Sequence, residues 1–257
     1  MPVRPLLVCL AALLPALAVA QVNTERMRRI VDEGFHIQVS ASGAYATGNT
    51  EFLQVNSGGR IDAVQGDHAG FIVSQFSLAR ANDAAVLSRA FAHIRYNNDV
   101  TPLVTAELFA QVERDEQQLL ARRYLVGGGV RFNVIDEATH GFALGTTPMF
   151  ELEQLREGAV LPGGDTESIG YRLSNYVTGR FKVSETTFAS ATTYVQPRLN
   201  DFNDVRVLAQ GRLGVDVNKN LRVQLTANTR YDSRPPVGIE ETDFSVTGGF
   251  VFDSIGN

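Results

Sequence analysis

Basic and acidic residues recur at alternate positions along much of this chain. The basic set is Arg123, Arg131, Arg172, Arg180, Lys182, Arg206, Arg212, Arg222 and Arg230, and the acidic set is Glu107, Glu113, Glu151, Glu153, Asp216 and Asp232. Guanidinium groups stay charged at any working pH and offer forked donors to carboxylate or phosphate. A wall built from the arginines would therefore attract small anions, acidic sugars among them. The same residues can instead pair across neighbouring strands and fill an interior, because a polar interior must satisfy itself. The spacing is compatible with both, and both are kept open.

Other chemistry finds less support. Of the four histidines, His68 and His140 fall in expected turns. His36 and His93 share the charged face without a serine and carboxylate beside them in the pattern. No Gly-x-Ser-x-Gly elbow is present, so a hydrolase site of the serine–histidine type is not predicted, and the chain is not expected to be an enzyme. Asp115, Glu116, Asp165, Glu167, Asp201 and Asp204 fall in loops, where oxygen ligands for Ca²⁺ or simply solvated acids are the two readings. The second is preferred, and no cofactor is expected. Gly127-Gly128-Gly129 lies within a strand pattern with no helix to follow, which speaks for close strand packing or a bend and not for a phosphate loop.

The elements that position these residues are strands. In Val205–Val217 the odd positions are Val, Ala, Gly or Leu, while Arg206, Gln210, Arg212 and Asp216 lie between them. Leu221–Tyr231 repeats the pattern after Asn218-Lys219-Asn220, which marks an antiparallel hairpin. Twelve such runs are expected: 35–47, 51–64, 70–81, 88–98, 102–114, 122–134, 141–154, 169–182, 186–197, 204–217, 221–233 and 242–253. Strand three is ambiguous, since Phe71/Val73 and Ile72/Phe76/Leu78 both make an apolar face. Many runs reach about a dozen residues, roughly twice the common strand length in soluble domains. A long strand with one apolar and one charged face fits a tilted membrane crossing. The fold class expected is all-β, an antiparallel transmembrane β-barrel of about twelve strands. Short periplasmic turns are expected at one end and longer extracellular loops at the other, including 82–87, 115–121, 155–168, 198–203 and 234–241.

Alternation alone does not say which face is outside, because a soluble lipid-binding barrel turns its apolar residues inward. The aromatic residues decide for the membrane. Tyr45, Tyr124, Tyr171, Tyr194 and Tyr231 are expected at the loop ends of the apolar face. Phe35, Tyr96, Phe132, Phe142, Phe181, Phe188, Phe250 and Phe252 are expected at its turn ends. Two such bands suit two lipid–water interfaces.

Residues 1–20 read as a secretory signal peptide: Arg4, an apolar core, and Ala18-Val19-Ala20 before cleavage near Ala20. The single cysteine, Cys9, lies inside it, so the mature chain would have no disulfide or thiolate chemistry. Losing Arg4 leaves 22 Lys+Arg against 28 Asp+Glu, a net charge of −6, which argues against a nucleic-acid partner. Residues 21–34 are read as a periplasmic segment, either a short helix over 24–33 or an extended tail, and 35–257 as the barrel. Outer-membrane lipid, the barrel-assembly machinery and small anionic solutes are the expected partners.

Two stretches bear a resemblance to a known family. Ser40–Thr50, ending Gly48-Asn49-Thr50, resembles the opening strand and turn of the salt-induced outer-membrane protein family (YdiY-like). Glu113-Arg114-Asp115 with Arg122-Arg123-Tyr124-Leu125-Val126-Gly127-Gly128-Gly129 and the Asp136-Glu137 turn resembles its middle hairpin. The resemblance implies a barrel in the outer membrane of a Gram-negative bacterium, porin-like or linked to salt and envelope stress. It implies no catalytic residues.

Overall fold

The computed structural model describes residues 33–48, 51–82, 84–137, 139–218 and 221–252. The expected signal peptide 1–20, the segment 24–32 and the last residues 253–257 lie outside them. Twelve antiparallel strands form one sheet in sequential order. They are β1 (Gly34–Ala46), β2 (Phe52–Gln65), β3 (His68–Ala81), β4 (Ala84–Asp99), β5 (Val104–Asp115), β6 (Leu120–Asp136), β7 (His140–Leu155), β8 (Glu167–Lys182), β9 (Thr187–Arg198), β10 (Asp201–Asp216), β11 (Leu221–Asp232) and β12 (Thr242–Phe252). A 3-10 turn, Glu116–Gln118, links β5 to β6.

The register follows the polarity alternation. Across β10 and β11, Arg206 faces Asp232, Gln210 faces Asn228 and Asp216 faces Arg222, while Val207, Leu213 and Val215 face Tyr231, Leu225 and Val223. A one-residue slip would exchange every charged position for an apolar one, so the sequence pins this pairing. The sheet is rolled with its polar face inward. Side chains three strands apart meet on that face, as Tyr176 of β8 and Glu107 of β5 do at 3.0 Å. Gln118, in the β5–β6 connection, reaches Asp243 of β12 at 3.3 Å.

Burial is inverted relative to a water-soluble protein. Ile37, Val39, Ile72, Leu108 and Val126 are exposed on the outer face, whereas Glu107, Glu153 and Arg172 are buried on the inner one. The ambiguity of strand three resolves accordingly. Phe71 and Val73 turn inward and pack with Phe91, and Ile72 and Phe76 turn outward.

Two aromatic residues expected outside lie inside. Tyr194 is buried against Tyr176, with ring centroids 5.3 Å apart, and Phe188 sits beneath the Arg222 guanidinium at 4.5 Å. In β9 the opposite face is Thr187, Ala189, Ala191, Thr193 and Val195, so neither face is distinctly apolar. Gln196 and Arg198, in phase with Tyr194, settle the orientation. Tyr45, Tyr124, Tyr171, Phe35, Tyr96, Phe132 and Phe181 are exposed on the outer face as expected. The side chains of Phe250 and Phe252 lie outside the description.

The loop asymmetry is narrower than expected. The β3–β4 connection is only 82–83, because Ala84 and Ala85 continue the ladder opposite Ala81 and Arg80. The β9–β10 connection is only 199–200. The long loops are 156–166 and 233–241. They meet through the Val237 amide, which donates to the Val160 carbonyl at 2.8 Å. Since β8 to β11 lie between these loops in the sheet, that contact roofs part of this end.

Candidate functional site: the charged interior

The inner faces of β5 to β11 bring the charged residues into one network near the loop end. Glu153 on β7 accepts from Arg123 of β6 at 2.7 Å and from Arg206 of β10 at 2.8 Å. Arg123 reaches Glu113 of β5 at 2.5 Å. Arg206 also donates to Glu151 at 2.6 Å and Asp232 at 2.8 Å. Glu151 accepts from Arg172 at 3.0 Å, and Arg172 continues to Asp204 at 2.8 Å. Arg172 further donates to the carbonyls of Gln196 and Asp204. Arg230 pairs with Asp243, and Arg89 with Asp115.

These groups are almost wholly removed from solvent. A buried charge is tolerated only when paired and hydrogen-bonded, since its desolvation otherwise costs several kcal/mol. Here each arginine at the centre has two or more carboxylates within reach, and each central carboxylate at least two guanidinium donors. The centre of the cluster is saturated internally; at its edge Arg230 Nη1 and Arg89 Nη2 are buried without a hydrogen-bond partner.

Of the fifteen charged residues singled out from the sequence, Arg123, Arg172, Arg206, Arg230, Glu113, Glu151, Glu153 and Asp232 join this network. Glu107 lies deeper, accepting from Tyr176 and standing 3.6 Å from Arg95. Arg131 donates to Asn133 at 2.7 Å and to the Tyr176 hydroxyl at 3.4 Å. Arg180 is exposed at the turn end on Asp136, and Arg222 pairs with Asp216. Arg212 is half-buried on the same face of β10. Arg123 links Glu113 of β5 to Glu153 of β7.

Phe109 and Gln111 carried no signal strong enough to single them out. They group with His93, which was expected on the charged face and stacks between Phe91 and Phe109. Its Nδ1 meets the Gln111 amide oxygen at 3.2 Å, and Gln111 donates to Glu113 at 3.0 Å. Only their common parity with Arg95 and Glu113 could have found them. The aromatic rings fit because the facing strands are stripped to glycine. A Cβ on Gly127 would press into Phe109 and Met149, and one on Gly145 would overlap the Tyr176 ring. The Gly127–Gly129 run therefore serves close packing, as expected from its place in a strand.

The space between the ion pairs and Phe109, Thr147, Met149, Tyr176, Tyr194 and Leu208 has a volume of about 40 Å³, room for no more than about three water molecules.

Several of the loop acids are engaged and not merely solvated. Glu116 pairs with Arg114 and Arg156, Asp201 with Arg234, and Asp204 with Arg172 and Arg198. Among the described residues no group of three or more His, Cys, Asp or Glu is placed to hold a cation. His68 bonds Tyr96 and Asn98, and His140 lies at 3.1 Å from Glu137. Neither is set against a serine.

The sequence profile of the family described as "Protein of unknown function, DUF481" matches residues 39–253. No curated protein matches the chain. Among solved structures the NanC porin, in a rhombohedral crystal form, is similar at 9% identity with a TM-score of 0.48, over 86% of this chain and 99% of that one.

Proposed function

The chain belongs to the DUF481 family of proteins of unknown function, which brings no activity with it, and we propose a reading that rests on the interior and exterior of this sheet. The protein is an outer-membrane β-barrel, closed by β12 against β1. The charged half of its interior is a permanent filler that stiffens the wall.

The observation that supports the membrane is the inverted burial. Val39 is 79% exposed and Glu153 only 1%, and this contrast recurs strand after strand. In water such a distribution would forfeit apolar burial at about 25 cal/mol per Å². In a bilayer it is what a closed sheet requires, because every backbone group is paired along the strands and only side chains meet lipid. Outer-membrane lipid and, during biogenesis, the barrel-assembly machinery reading β12 are the partners this implies.

The paired state of Arg123, Arg172 and Arg206 favours the filler over an arginine-lined anion passage. A guanidinium already held by two carboxylates presents little net field to a passing anion. No catalytic role is proposed.

The chain contains no tryptophan, so single tryptophans report cleanly. In protein folded into lipid vesicles, Leu108→Trp is expected to be quenched by bromine-labelled acyl chains and not by aqueous iodide. Asn56→Trp, on the inner face, is expected to behave the opposite way. Iodide quenching of Leu108→Trp would overturn the membrane reading.

A further inference from the structure

Resting on the barrel reading, we infer that the wall opposite the ion pairs is a groove for uncharged, polyhydroxylated solutes such as neutral sugars. The inner face of β1 to β3 carries small polar side chains where β5 to β10 carry charges. Ser42, Asn56, Gly58, Gln75 and Ser77 line a groove of about 360 Å³, at the lower end of the range typical of small-molecule sites. Gln75 points inward and is nonetheless exposed, as is Ser42, so this side of the interior is open where the other is packed.

The groove holds donors and acceptors without net charge. The Asn56 amide reaches the Ser42 hydroxyl at 3.4 Å, a weak bond that a ligand hydroxyl can replace. The one cation in the wall, Arg60, is bonded to Asp62 two residues along β2 and lies over the Phe71 ring at 4.5 Å. It is neutralised and immobilised.

The same chemistry continues beyond the other edge of the sheet. Thr226 and Asn228 of β11 and Ser245 of β12 are in phase on the inner face, and Asn228 accepts from Gln210 at 2.5 Å. Closure of β12 on β1 sets this uncharged stretch beside the groove, below the Arg230–Asp243 pair of the same two strands.

Hydroxyl and amide groups can exchange their water for sugar hydroxyls at small net cost. A sugar acid finds no free cation there, and entering the groove costs part of its hydration. The discrimination runs toward the neutral solute, opposite to that of an arginine-lined passage.

The test is swelling of liposomes carrying the folded protein, in iso-osmotic solutions of a neutral monosaccharide or of the sugar acid of equal carbon number. Folding is scored separately by heat-sensitive migration on a denaturing gel. Swelling is expected to be several-fold faster in the neutral sugar. In a Cys9→Ser, Ser77→Cys protein it should fall several-fold after reaction with a bulky neutral maleimide. The same modification at the outward Thr229→Cys should leave it unchanged. Folded protein that gives no swelling, or faster swelling in the acid, overturns the proposal and leaves the barrel standing. Protein that never acquires heat-sensitive migration in lipid fails at the barrel itself.

Discussion

On one side of the interior, near the loop end of β5 to β10, arginine and carboxylate interdigitate until they are almost wholly removed from water. On the other, from β1 to β3, serine, asparagine and glutamine face an open groove. Both walls come from the same alternation of polar and apolar positions, and both are polar. They differ in side-chain length and charge. Long guanidinium arms span the distance between strands two or three apart and draw the wall inward around their carboxylates. The shorter serine, asparagine and glutamine side chains cannot reach across, so that wall stays hollow. Polar content alone therefore says nothing about whether an interior is open. The reach of the side chains and their capacity to satisfy one another decide it.

The contrast is sharpest in the stability of single variants folded in lipid. Glu153→Leu leaves Arg123 and Arg206 each short of a buried carboxylate, and such a loss costs about 3–5 kcal/mol. Asn56→Leu in the open groove should stay within about 0.5 kcal/mol. Denaturant midpoints measure both, and equal shifts would erase the distinction between the walls. A smaller effect is expected from shape. Gly145→Val forces the Tyr176 ring off its seat and away from Glu107, an overpacking worth about 1–3 kcal/mol. At Gly249, on the inner face of β12, an added Cβ meets nothing within 4 Å, and Gly249→Ala should stay within about 0.5 kcal/mol of wild type. The smallest expected effect is at Gln75. Gln75→Ala should also remain within about 0.5 kcal/mol while altering neutral-sugar flux, and a change in stability without a change in flux would make Gln75 part of the packing instead.

How much of this was legible depended on how unlike the two faces of each strand are. Val205–Tyr231 could be read to the residue, because Arg206, Arg212, Arg222 and Arg230 never share a face with Val207, Leu213 or Val223. The turn at Asn218 was equally plain, and its side chain accepts from the Leu221 amide at 3.0 Å. In β9 the contrast is lost, and Tyr194 and Phe188 were assigned to the wrong side. Residues 82–87 looked like a loop because they begin Asn82-Asp83, yet Ala84 to Leu87 are apolar enough to extend the strand. The charged residues themselves were visible, but their pairing was not. Arg206 meets Glu151 and Glu153 across three strands, a contact set by curvature that no local spacing encodes. Asp204 looked like a loop acid for the same reason, and Arg172 holds it inside.

The most direct measurement is thiol accessibility in folded, lipid-embedded protein on a Cys9→Ser background. Single cysteines replace Asn56 and Ser77 on the open wall, Thr147 and Ser174 on the filled wall, and Ile72 on the outer face. A small water-soluble thiol reagent should label the first pair rapidly, the second pair only on unfolding, and Ile72→Cys not at all. Equal labelling of Thr147→Cys and Asn56→Cys would contradict the two-walled interior, and rapid aqueous labelling of Ile72→Cys would contradict the membrane-facing exterior.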